Sequence, residues 1–426
     1  MRRLDVSIEL SGSEVSIGQI TGNDARDAGF AYADAYLASD HAQPVSISLP
    51  LREEPFSPAE TAAFFDGLLP EGFTRRSVAK WLRSGADDYL SLLAGLGSEC
   101  LGAVRITEGA DEPAEAAYRK IEPCRIKELA AEGAVESSQM VVESHLSLTG
   151  ASGKVGLYYD GQNDEWYLPV GDAPSTHIIK QSHIRLDNII TNEQMVLMTA
   201  SKLGIEVPHS FIIDLGSGRD GEILFASKRY DRDQMSDRLV DGLARPYRKH
   251  QEDLAQAMGI PAISKYEEPG DEHFSRIAEL IRNHSSDPIT DIRKLWETTV
   301  FNWLIGNTDN HIKNISLIYS TDLRTVRLAP AYDLISTAVY PSSTHNMAFN
   351  IGGKYSIDDI DRTAWSRAAK DIGMGTGYAL DLIDQMTEKL PDALNTSAEE
   401  LCDGGFIQAP DIRNRILSIA DMRRMH

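Results

Sequence analysis

The chain has 426 residues, 42% hydrophobic and 25% charged, which excludes wholesale disorder and allows more than one core. Lysine and arginine total 42 against 64 aspartates and glutamates, a formal net charge of −22, so non-specific binding to nucleic acid is a poor expectation. Cys100, Cys124 and Cys402 are far apart with no CxxC pair, which argues against a disulfide scaffold or zinc cluster and fits a reducing compartment.

From Leu4 to Leu10 apolar and polar residues alternate, the pattern of a half-buried strand. Asp5 and Glu9 fall where a secretory signal needs an apolar core. No apolar run is long enough to span a bilayer, so a cytoplasmic protein without membrane contact is expected. Val45–Leu49 alternates in the same way and ends at Pro50. A helix is predicted after Ser57, with Pro58 at its first position and Glu60 at its third, a capping-box spacing. Residues 108–118 are rich in Glu, Ala and Pro and predict an exposed linker.

The texture changes near residue 140. Leu146–Leu148 enters a turn at Thr149–Gly153, and Lys154–Tyr159 leaves it. Glu165–Val170 and Thr176–Lys180 follow, a run of antiparallel hairpins. A helix is predicted from about Asn192, taken as its cap, to Gly204. Strands are predicted at Ser210–Asp214 and Ile223–Arg229, and mostly helix after residue 232. In 291–305, Ile292, Leu295, Trp296, Thr299, Val300, Trp303 and Leu304 form one helical stripe that leads into Gly306-Asn307-Thr308-Asp309-Asn310-His311. The expected domains are an α/β subdomain at 1–107, a β-rich lobe with a Gly-rich loop at 108–232, and a helical lobe at 233–426. That is an α+β fold with the two-lobed layout of a protein kinase.

Phosphoryl transfer needs a phosphate cover, a cation, metal-holding carboxylates and a base, and each has a candidate in that order. Ser147–Lys154 offers small residues whose N–H groups can approach phosphate, although a plain hairpin turn has the same composition. Lys180 ends a strand and Glu193 follows in the next helix, a candidate ion pair; an edge lysine and a helix-start acid are the plainer readings. Asp309 and Asn314 have the Asp-x-x-x-x-Asn spacing that aims a carboxylate at a hydroxyl and an amide oxygen at a metal. Lys313 adds a cation there, and His311 a group to order the loop. Asp333 sits in the apolar run Leu328–Ile335, where a carboxylate is costly unless it is paired or binds a cation.

At these residues the sequence resembles the HipA family of serine/threonine kinases, the toxin half of HipBA toxin–antitoxin pairs. The resemblance rests on SLPL at Ser48–Leu51, FFDGLLPEG at Phe64–Gly72, SLTGASGK at Ser147–Lys154 and HIIK at His177–Lys180. It continues through RYDR at Arg229–Arg232, QEDLAQAMG at Gln251–Gly259, KYE at Lys265–Glu267, GNTDNHIKN and LAPAYDL. The resemblance implies ATP and magnesium as cofactors. Asp309 would be the base, and Asn314 and Asp333 the magnesium ligands. Ser152, Lys154 and Lys180 would face the phosphates, and Lys228 and Tyr230 would form the hinge for adenine. Asp231, Gln251 and Tyr332 would be further nucleotide contacts. Ser147 would be the autophosphorylated serine that silences the enzyme, with Ser144 and Ser152 as alternatives. Ser152 stands where the family often has glutamine, and Lys228 replaces a common acidic residue.

The implied function is an ATP- and magnesium-dependent protein kinase toxin whose substrate is a protein, by resemblance an aminoacyl-tRNA synthetase. The implied partner is a HipB-like helix-turn-helix antitoxin, with DNA met only through it. A different class of reading is a weakly active corepressor of that antitoxin. A third, a small-molecule or lipid kinase, shares the Asp-x-His-x-x-Asn loop but not the amino-terminal motifs. Arg229, Arg232, Arg238, Arg245, Arg248 and Lys249 offer a modest basic surface, ordinarily a solvated face.

Overall fold

The computed structural model describes residues 1–109, 115–132, 134–144, 153–182, 186–233 and 237–424. They divide into two compact units. The first comprises 1–181, 226–263 and 318–325; the second comprises 182–225, 264–317 and 326–426. This division joins the two amino-terminal segments drawn from sequence and moves 182–225 to the helical side.

In the first unit, β1 (Arg2–Leu10), β2 (Ser13–Gly22), β3 (Gly29–Tyr32) and β4 (Val104–Glu108) form an antiparallel sheet in the order β3-β2-β1-β4. Leu4, Val6 and Ile8 are fully buried, so the alternation in β1 selects its core face. The helix Pro58–Phe65 begins with the expected capping box at Ser57 and Glu60. Thr61 on this helix accepts from Phe30 N at 2.9 Å, and the Phe65 ring lies 5.1 Å from that of Phe30. Val45–Leu49 is not a strand. Ser46 and Leu49 close a tight turn as an isolated bridge, because Ser46 Oγ and Ile47 N both donate to the buried Glu252 carboxylate.

A second sheet in this unit runs β5 (Ala117–Lys120), β7 (Glu165–Val170), β6 (Lys154–Asp160), β8 (His177–Gln181), antiparallel throughout. The strand Ile223–Lys228 carries the chain from the second unit into the first. Beyond it the sequence expectation of helix fails. Leu239–Val240 pairs with Leu243–Ala244 around Asp241-Gly242, whose φ values are 53° and 81°. An Asp-Gly pair with positive φ at both positions is the two-residue hairpin signal, and it outweighs the local helical pattern.

The second unit is built on helices Ile189–Lys202, His273–His284, Pro288–Ile305, Arg362–Asp371, Thr376–Asp403 and Ala409–Arg424. The stripe expected on 291–305 is buried at all seven positions. Trp296 at its centre donates from Nε1 to Ala379 O at 3.1 Å. The helix expected from Asn192 begins three residues earlier. Asn188 takes the cap position with φ 59°, and Asn192 is a buried interior residue. No helix among the described residues is long and apolar enough to cross a membrane.

Candidate active site

The helix Pro288–Ile305 delivers the polar loop. Asp287 caps it by accepting from Thr290 N at 3.3 Å, and Pro288 occupies its first position. It stops at Gly306, φ 73°, where a Cβ would come within 2.7 Å of the Ala338 Cβ. Only glycine both makes this turn and admits the neighbouring segment.

The loop then holds itself. Asn307 Nδ2 donates to Asn302 Oδ1 at 2.9 Å, and Asp309 N donates to Asn307 Oδ1 at 3.1 Å. Asn314 Nδ2 donates to the Asp309 carbonyl at 3.0 Å, which leaves its amide oxygen as the end suited to a cation. With the backbone fixed, the Asp309 side chain is exposed. Its Oδ1 accepts from the Tyr266 hydroxyl at 2.5 Å. The Tyr266 ring stands edge-on to His311, with centroids 5.2 Å apart. His311 and Lys313 are buried beneath the loop.

The segment carrying Asp333 is tethered to this loop on both sides. Tyr332 donates to Lys313 O at 3.0 Å and accepts from Ser316 Oγ at 2.6 Å. Past Asp333, Thr337 Oγ1 donates to Gly306 O at 3.0 Å and receives Thr308 N at 2.8 Å. Asn192 brackets Ser336, accepting from its N–H at 3.1 Å and donating to its carbonyl at 3.0 Å. Between these tethers Asp333 is half-buried with φ 53°, a left-handed conformation that aspartate tolerates better than most residues. One carboxylate and one amide oxygen are a donor set that suits magnesium, which takes few protein oxygens and completes its shell with phosphate and water.

The first unit holds the other expected residues. Lys154 and Lys180 are direct register partners across β6 and β8. Directly opposed strand residues share one face of the sheet, so the pairing sets the two lysines side by side. Gln251 is buried, and its amide oxygen has no donor among the described residues. A ligand amine, such as the exocyclic amine of adenine, would satisfy it. Lys228 ends its strand half-buried, and Tyr230 is half-buried beyond it. Ser144 is buried, with its hydroxyl on Met140 O at 2.8 Å. Ser147 and Ser152 lie outside the described residues.

Asp231, expected as a nucleotide contact, lies in an ion-pair cluster. It is buried and accepts from Arg229 Nη2 at 2.7 Å, Arg232 Nη1 at 2.9 Å and Gly102 N at 2.8 Å. Burial alone raises a carboxyl pKa, but the guanidiniums of Arg229 and Arg232 outweigh it and hold Asp231 low. Beside it, Glu99 accepts from Arg229, Arg232, Arg248 and Ser175, at distances from 2.9 to 3.3 Å. The same balance, burial against Arg232, Arg248 and Arg229, keeps Glu99 ionised. Half of the basic run expected at the surface is therefore interior. Arg238 and Arg245 are also committed, to Glu9 at 2.8 Å and Asp172 at 2.5 Å.

Sequence reasoning missed Asn192, Asn307, Ser336 and Thr337, which hold the loop, and assigned no role to Tyr266. Asn192 had a signal, since an asparagine one turn into an apolar helix needs a partner.

Comparison with known proteins fits this geometry. Residues 8–107 match the HipA N-terminal domain and residues 146–394 the HipA-like C-terminal domain. The protein Y4mE of Sinorhizobium fredii is 34% identical over 399 residues, covering 91% of this chain and 90% of the relative. The serine/threonine-protein kinase toxin HipA of Shewanella oneidensis is 23% identical over 369 residues, 82% of this chain and 80% of that one. The solved complex of Shewanella oneidensis HipA, HipB and operator DNA contains a chain that superposes with a TM-score of 0.79 at 20% identity, covering 98% of this chain and 96% of that one. The chain is a member of the HipA family, with the family's protein-kinase-like α+β fold.

Proposed function

We propose that this protein is an ATP- and magnesium-dependent protein serine/threonine kinase of the HipA toxin type. The observation that carries the reading is the exposed Asp309 on a loop stapled, through Tyr332 and Thr337, to the segment bearing Asp333. Asp309 accepts the proton of the substrate hydroxyl as its oxygen attacks the terminal phosphate. Asn314 and Asp333 hold magnesium, which when bound neutralises charge on the transferring phosphoryl group. Lys154 and Lys180 engage phosphate oxygens, and Lys313 supports the loop electrostatically. Gln251 and the Lys228–Tyr230 stretch receive the nucleoside. Asp231 acts through the ion-pair scaffold.

Ser147 is the proposed site of autophosphorylation. A phosphoserine there carries about −1.5 to −2 charges and repels ATP phosphates, which silences the enzyme. The proposed substrate is another protein, with an aminoacyl-tRNA synthetase as the first to test. The proposed partner is a HipB-like helix-turn-helix antitoxin, supported by the HipA–HipB assembly of the Shewanella relative. The cytoplasm is the proposed location.

Intact-mass and phosphopeptide analysis after incubation with magnesium and ATP tests the reading, with Asp309→Asn alongside. Phosphate on the 147 peptide in the wild type alone supports it. No phosphate in either protein, from a starting mass free of phosphate, removes it.

A further inference from the structure

The helix Gly72–Trp81 of the first unit has two unlike faces. Thr74, Val78 and Ala79 are buried. Arg75, on the same side, is half-buried and committed, to Asp66 at 2.7 Å and to the Ala86 carbonyl at 2.6 Å. The other face carries Phe73, Arg76, Lys80 and Trp81, at the i, i+3, i+7 and i+8 spacing of one helical stripe. All four are exposed, Phe73 to 46% and Trp81 to 55%. Exposed apolar side chains scattered singly are ordinary. These two share one face, about 12 Å apart along the helix axis, with cations between them.

The charge of this face is the reverse of the chain's. The net charge is −22, yet the helix holds three basic residues and no acidic one. Glu71, at its cap, is half-buried. Arg76, Lys80 and, just past the helix end, Arg83 are exposed and form no ion pair among the described residues. The face therefore presents two aromatic rings and three unneutralised cations. Aromatic residues and arginine are the types on which the binding energy of protein interfaces concentrates.

We propose that this face docks an acidic segment of another protein, with apolar side chains against Phe73 and Trp81 and carboxylates on Arg76, Lys80 and Arg83. Charge complementarity selects the occupant. Nucleic acid and anionic membrane are extended surfaces of negative charge, which a chain of −22 repels over most of its own surface. A short acidic segment meets the patch alone, since charges beyond about 8 Å are largely screened at physiological salt. DNA-binding surfaces are basic, so the surface that occupies this face is not one of them. Docking stands apart from the kinase reading, and its test needs no activity.

A display library of random peptides is selected on the full chain, and the winning sequence is synthesised. The expected winners combine several Asp or Glu residues with apolar anchors. Trp81 reports binding directly, because the other four tryptophans are at most 9% exposed. Iodide quenching of its emission falls when the peptide binds. Trp81→Ala, and separately the pair Arg76→Glu with Lys80→Glu, weaken the labelled peptide about tenfold or more by anisotropy. Both proteins melt within about 2 °C of wild type, as for exposed substitutions. Ile289→Ala, at an exposed apolar residue of the second unit, leaves the affinity unchanged. No enrichment of acidic sequences, or winners indifferent to the Trp81 and Arg76–Lys80 changes, overturns the proposal. So does single-stranded RNA or a phosphatidylserine vesicle that shields Trp81 where the acidic peptide does not, or self-association of the chain that these changes abolish.

Discussion

The Glu99 cluster of the first unit and the Asp309 loop of the second both gather polar side chains, but they leave different things exposed. Around Glu99 every carboxylate meets arginines. Glu99 and Asp231 between them engage Arg229, Arg232 and Arg248, and all five side chains are at most 3% exposed. Around Asp309 the hydrogen bonds go to backbone, amide and hydroxyl groups, and two carboxylates are left with solvent access. The first arrangement makes a joint. It ties Glu99, from the segment preceding β4, to residues 229–248 with charges that satisfy one another. The second makes a candidate site, because its frame is buried in hydrogen bonds while its acids keep access to solvent. Solvent access, rather than density of charge, separates the two clusters.

The comparison breaks if the acids of the loop turn out to be structural. Asp309→Asn and Asp333→Asn are expected to lower phosphotransfer by about a thousandfold or more, the scale of a lost base or metal ligand. Melting temperature should stay within about 2 °C of wild type, as for an exposed substitution. A large thermal loss with partial activity would place both residues in the scaffold class. Glu99→Gln should do the reverse. It leaves three buried guanidiniums with one acid fewer, and breaking such a cluster costs about 3–5 kcal/mol. Urea denaturation measures this, and a loss under about 1 kcal/mol would mean that the cluster is solvated in solution.

Much of this contrast was legible in the sequence, but not which cluster was which. The loop read correctly as a loop because Gly306, Asn307, Asp309 and Asn314 follow a helix whose apolar stripe is nearly perfect, and stripe and stop are local properties. The role of Asp231 was not legible. RYDR places two arginines beside an acid, and only the fold brings Glu99 to them from 130 residues upstream of Arg229. Val45–Leu49 misled for a related reason. Its alternation is that of a strand, and the Glu252 carboxylate that makes it a turn lies more than 200 residues downstream. Asn192 resembled a cap because a cap and a buried anchor use the same amide chemistry.

A third polar cluster sharpens the comparison, since its acid meets no cation among the described residues. Glu252 is buried against Ser46, Ile47 and Tyr319, and burial pushes its pKa up to about 7 despite those donors. A carboxyl whose folded pKa is raised stabilises the fold fully below its unfolded value, and that stabilisation is lost as pH rises through the folded pKa. Glu99 and Asp231 have depressed values and behave oppositely, losing their contribution only as pH falls below the ordinary carboxylate range. Wild type should therefore lose Glu252's contribution, on the order of 2–3 kcal/mol, between about pH 4.5 and 7. In Glu252→Gln that slope should vanish. Melting curves of both proteins at pH 5 and pH 8 check it, and a constant gap between them would show that Glu252 is ionised throughout.

The smallest effect concerns Tyr266, the residue where the two kinds of cluster come closest in character. Its hydroxyl is donated to Asp309 Oδ1, yet the ring is 47% exposed, so the contact adds little to folding. What it fixes is the carboxylate's rotation, which decides whether the other oxygen faces an incoming hydroxyl. Tyr266→Phe keeps the ring against His311 and removes only that bond. It should lower kcat about tenfold, the value of one positioning hydrogen bond, with KM for ATP and melting temperature unchanged. A rise in KM instead would assign Tyr266 to nucleotide binding. A fall in melting temperature of about 4 °C or more would show that the exposed loop depends on this bond for stability, and the line between frame and solvent-facing acids would then run through Asp309 itself.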